Sequence, residues 1–78
     1  PAVDVKGNKV DVNIGSVDHP MLDEHWIQFV CLLKDDGYEI HPLNPGEAPH
    51  TDFELLEGEK PVAVYEYCNL HGLWKTNI

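Results

Sequence analysis

Five histidines and two cysteines could hold a transition metal in this 78-residue chain. They are His19, His25, His41, His50, His71, Cys31 and Cys68. Spacing singles out four of them. His19 and His25 fall in "HPMLDEH", and Cys68 and His71 in "CNLH" near the other end. Imidazole and thiolate bind such ions well, and a set rich in nitrogen suits iron, copper, nickel or zinc alike.

Geometry restricts how each pair could act. On one strand His19 and His25 would share a face but stand roughly 20 Å apart. On one helix, six steps of about 100° would turn them in different directions. Only a compact loop lets both reach one ion. Pro20 suits the first position of a helical turn, and Asp23 and Glu24 are tolerated within it. "PMLDE" is therefore expected to make one turn that carries His25 back toward His19. The plainer reading is two unrelated loop histidines beside a strand. In the second cluster, Cys68 ends a strand and Asn69 favours a turn. Gly72 permits a backbone conformation closed to other residues. Cys68 and His71 can then converge on one ion, or they are a buried cysteine and a surface histidine.

The elements that must position these side chains read as strands. "VDVKGNKVDVNIG" is two runs around Gly7-Asn8, a hairpin signal, and Val10, Val12 and Ile14 alternate with polar residues. "HWIQFVCLLK" places Ile27, Phe29, Cys31 and Leu33 on one face and Val30 and Leu32 on the other. It is expected to be a central strand covered on both sides, with Cys31 a small buried apolar residue. "DDG" is a turn before the strand "YEIHPL", and "NPGEAPHTD" is a loop. "FELLEGEK" is a short strand and turn, "PVAVYEYC" a strand, and "GLWKTNI" can close the sheet. The fold class is all-β: a sandwich of about seven short antiparallel strands in one domain, 1–78. The two clusters come from opposite ends of the chain, and such a sandwich can bring their loops together.

Composition narrows the function. The formal net charge of −9 should repel nucleic acid and anionic membranes. It would also slow an anionic substrate unless positive charge is concentrated locally, as a metal ion would do. No apolar run approaches the roughly 20 residues of a membrane helix. A core this small supplies only about 3–5 kcal/mol, so a metal or association into a homo-oligomer would help. A Cys31–Cys68 disulfide of the antibody-domain kind lacks its markers. No Trp lies between the two cysteines, and Glu66 stands where a Tyr belongs. Free thiols fit a reducing cytoplasm.

"GSVDHPMLDEHWIQFV", followed downstream by "YCNLHGLWK", resembles the iron centre of superoxide reductases, the family of desulfoferrodoxin and neelaredoxin. The two motifs, H-P-M-x-x-x-H-[WY]-I and C-N-x-H-G-x-W, occur here in that order. The resemblance runs over nearly the whole chain. It implies an immunoglobulin-like β-sandwich and a mononuclear non-haem iron with four equatorial histidines and one axial cysteine. His19, His25 and His71 would be equatorial ligands and Cys68 the axial thiolate, while His41 and His50 match no ligand position and read as loop residues. The implied activity is one-electron reduction of superoxide to hydrogen peroxide at an open site trans to Cys68, with an electron donor such as rubredoxin. The family's fourth histidine lies in a Glu-Lys-His stretch that would precede Pro1, so either the chain is shortened at its N-terminus, the preferred expectation, or it is a degenerate member of the family. Three imidazoles and one thiolate could also accept zinc. The alternative is therefore a metal-binding sandwich with a structural zinc or incomplete iron site and no catalysis.

Overall fold

The computed structural model describes residues 1–14 and 20–78. Seven strands form two antiparallel sheets. The first sheet contains β1 (Ala2–Lys6), β2 (Lys9–Asn13) and β5 (His50–Glu54), in the order β1-β2-β5. The second contains β3 (Ile27–Lys34), β4 (Gly37–Pro42), β6 (Pro61–Cys68) and β7 (Gly72–Asn77), in the order β4-β3-β6-β7. The β1–β2 hairpin closes on Lys6↔Lys9, leaving Gly7-Asn8 as a two-residue loop. Gly7 has φ +59° and Asn8 does not take a positive φ, as a type II′ turn, whose twist matches the strands, requires. The expected all-β sandwich is thus the observed fold.

Alternation builds the core. Val10, Val12 and Ile14 from the β2 side, with Phe53 and Leu55 from the β5 side, face Ile27, Val30 and Leu32 of β3 and Val64 and Cys68 of β6. Phe53 is the largest fully buried side chain, and its ring stacks on His41 with centroids 4.0 Å apart. His41 Nδ1 and Thr51 Oγ1 lie 2.8 Å apart, so β4 and β5 are tied across the two sheets by a polar contact as well as a ring contact. At the far end, Lys34 and Glu59 form an ion pair at 2.8 Å. The Lys34 ammonium holds the Glu59 carboxyl below the usual range, and a hydrogen bond to Glu59 raises Asp36.

Three expectations need correction. His50 opens β5 and is not a loop residue, and His41 lies in β4, as the strand reading of "YEIHPL" has it and against its reading as a loop residue. The loop before β5 ends sooner than expected because Thr51 and Phe53 point inward while His50, Asp52 and Glu54 are exposed, a strand alternation. Strand β3 is central but covered on one side only. A register irregularity between Ile27 and Phe29 turns Ile27 to the core with Val30 and Leu32 and leaves Phe29, Cys31 and Leu33 on the outer face. Cys31 is consequently half-buried rather than buried, although partial burial still raises its thiol pKa. Both cysteines are free; Cys68 belongs to the core cluster and Cys31 does not, so they sit on opposite faces of the second sheet.

Candidate metal centre

The antiparallel pairing of β3 with β6 explains why distant parts of the chain converge. Ile27 pairs with Cys68, so residues just before β3 lie beside those just after β6. The backbone continues the pairing one step further, with Asn69 N donating to Trp26 O at 3.3 Å. His25 is thereby carried to the loop that holds Cys68 and His71. The ligand-capable atoms of His25, Cys68 and His71 all lie within 4.8 Å of one another. The two rings meet edge to face, with centroids 4.8 Å apart.

The three side chains differ in environment. Cys68 is 1% exposed, on the inner face of β6 after Val64 and Glu66. His25 is half-buried, and its Nε2 is shut off from solvent. His71 is exposed. The cluster therefore has a dry floor and one open side. Glu66, also inward-facing, is the one buried charged residue among those described.

Local structure fixes each of the two loops that carry the candidate ligands. Leu22 N donates to His25 O at 2.8 Å and His25 N to Leu22 O at 3.0 Å. Asp23 and Glu24 thus form the tip of a two-residue turn between bridge partners Leu22 and His25. The helical turn expected over "PMLDE" is replaced by this narrow β-turn, which satisfies both backbone groups of His25. Met21 O accepts from Gly46 N at 2.7 Å, tying this segment to the loop after β4. In the second loop, Trp74 Nε1 donates to His71 O at 3.1 Å. Gly72 has φ +81°, which lets the chain reverse between Cys68 and its partner Gly72. A Cβ there would meet nothing within 4 Å, so the cost of Gly72→Ala is backbone strain alone. That substitution is expected to destabilise by about 1–2 kcal/mol, seen as a fall of roughly 4–16 °C in Tm. An unchanged melting curve would show that this turn does not depend on the left-handed backbone.

Of the four residues singled out by spacing, the structure brings His25, Cys68 and His71 together. His19 lies outside the described residues. His41 and His50 sit elsewhere, His41 against Phe53 and Thr51, and His50 with Nε2 4.0 Å from Asp11. A metal bound by thiolate and imidazole has bonds of about 2.0–2.3 Å, so its ligand atoms stand roughly 3–4 Å apart. The observed separations, up to 4.8 Å, are close to that spacing, and the donors suit a transition ion.

The family described as desulfoferrodoxin matches residues 1–77. The chain belongs to the desulfoferrodoxin and superoxide reductase family. Desulfoferrodoxin from Clostridium acetobutylicum is 41% identical over 78 residues, covering 100% of this chain and 60% of that protein. The superoxide reductase from Treponema pallidum superposes with a TM-score of 0.93 at 42% identity, covering 99% of this chain and 62% of that one. The superoxide reductase of Giardia intestinalis gives 0.83 at 28% identity, covering 100% of this chain and 93% of that one. The chain thus spans about 60% of the length of the desulfoferrodoxins it matches. Among the described residues no helix is long and apolar enough to cross a membrane.

Proposed function

We propose that this domain is the iron-binding unit of a superoxide reductase, with His25, Cys68 and His71 as metal ligands and His19 as a further one. The observation that carries the proposal is the convergence of those three side chains within 4.8 Å in a chain of this family. When bound, iron supplies the one-electron chemistry that converts superoxide and two protons into hydrogen peroxide. The donor set fits it: imidazoles are neutral ligands, and a cysteine ligand binds as its thiolate.

The protein's own residues do the rest. The closed floor around Cys68 keeps water from the sulfur, and low polarity there strengthens its interaction with a cation. The exposed side at His71 leaves an approach for a small anion and for an electron donor, for which rubredoxin is the family's precedent. Since the chain carries a net charge of −9, attraction of superoxide falls to the metal itself. Two free thiols are in keeping with a reducing cytoplasm.

The test is metal analysis combined with turnover on the intact protein. Stoichiometric iron, a thiolate charge-transfer band in the oxidised form, and reductant-dependent formation of one peroxide per superoxide are expected. Colourless protein with stoichiometric zinc and no turnover would replace this reading with a structural metal site.

A further inference from the structure

Asn69 sits between two ligand candidates and holds the loop that carries the third. Its side-chain Nδ2 donates to Glu24 O at 2.9 Å. Its Oδ1 accepts from Trp26 N at 2.9 Å. Its backbone N donates to Trp26 O at 3.3 Å. The residues bonded are those immediately before and after His25, so His25 is gripped from both sides by a residue adjacent to Cys68. The same Oδ1 lies 3.9 Å from Cys68 Sγ.

The amide is suited to this task because its two ends differ. Trp26 N–H requires an acceptor and Glu24 C=O requires a donor, which also fixes which end is oxygen. Aspartate would set two acceptors against a carbonyl on one side. Serine is too short to span both, and alanine offers neither group. The Leu22–His25 turn holds His25 within its own loop but does not tie that loop to β6; that connection is what Asn69 adds.

We propose that Asn69 is a positioning residue that sets the separation of His25 from Cys68 and His71, and so determines how tightly the site holds a metal. The inference rests on the three side chains being ligands. Partners that orient metal ligands typically contribute about 10–100-fold in metal affinity.

The experiment is a double-mutant cycle on cobalt(II) affinity in the intact protein, read from the cobalt absorption bands. Asn69→Ala in the wild-type background is expected to weaken cobalt binding about 10–100-fold. In a His25→Ala background the same change is expected to cost less than about threefold, because the ligand that Asn69 positions is gone. Asn69→Gln keeps both amide functions one methylene further out and serves if the alanine variant folds poorly; it should show the same dependence on His25. Thr76→Val removes an unrelated tether, Thr76 Oγ1 to Pro1 O at 2.6 Å, and should lower Tm without changing cobalt affinity. Equal losses in the two backgrounds, or none, would overturn the positioning role while leaving the metal site intact. Failure of the wild-type protein to bind cobalt would overturn the metal site and the positioning role together.

Discussion

Under the proposed function, Cys68→Ser is expected to abolish the thiolate charge-transfer band of the iron-loaded, oxidised protein and to remove most of the superoxide reduction proposed for it. Sulfur and oxygen occupy the same position on nearly the same side chain, so the backbone that delivers them should not move. The chemistry does change. A thiolate is a soft, polarisable donor, whereas a serine hydroxyl is a poor ligand at neutral pH. The proposed histidine ligands, His25 and His71 with His19, would remain to hold the ion more weakly. Cys68 is 1% exposed in the core cluster, so a hydroxyl there also loses hydration, at about 1–3 kcal/mol if it finds no partner. Circular dichroism and a thermal melt separate that cost from the loss of the ligand. Cys31→Ser is the matched control. Its thiol lies half-buried on the other face of the sheet, so the band and the activity should persist. A band that survives Cys68→Ser would show that the sulfur is not a ligand, and the proposed centre would have to be abandoned.

Much of this centre is visible in the sequence as two clusters, yet neither cluster states the distance between them. That distance is set by Ile27 pairing with Cys68 across β3 and β6, a register between residues 27 and 68. Local pattern fixes which residues alternate, not which strand lies beside which. The role of Asn69 is hidden for the same reason: its side-chain partners are 43 and 45 residues away, and within its own neighbourhood it looks like any turn former. Strand β2 was easy to read because Val10, Val12 and Ile14 all point into the core without interruption. Strand β3 was harder. The irregularity after Ile27 breaks the period of two, so parity alone puts Ile27 on the wrong face. In β5 the three polar residues His50, Asp52 and Glu54 mask the inward alternation of Thr51 and Phe53.

That masked strand carries the residue on which the sandwich most depends, and Phe53→Ala is expected to unfold much of the population at room temperature. Phe53 is 1% exposed, pairs beside Val10 in the first sheet, and stacks on His41 of the second. Truncating a buried phenylalanine costs about 3–5 kcal/mol, from lost burial and from the cavity left behind. A core this small supplies only about 3–5 kcal/mol in all, so the loss approaches the whole. Relaxation offers little relief because the neighbours Val10, Val12 and Val64 are short, β-branched and anchored in strands. The His41 ring would also lose its stacking partner, leaving the contact of His41 with Thr51 as the remaining link there between β4 and β5. Urea titration of the metal-free protein gives the measurement, with the metal-loaded form run beside it. A metal held only by the folded state would stabilise it, so under the proposed function loading should restore part of the lost stability. Phe53→Leu, which keeps most of the apolar volume, should cost far less. An unfolding free energy for Phe53→Ala within about 1 kcal/mol of wild type would show that the two sheets are held together elsewhere, and that the candidate metal centre does not rely on this contact for its scaffold.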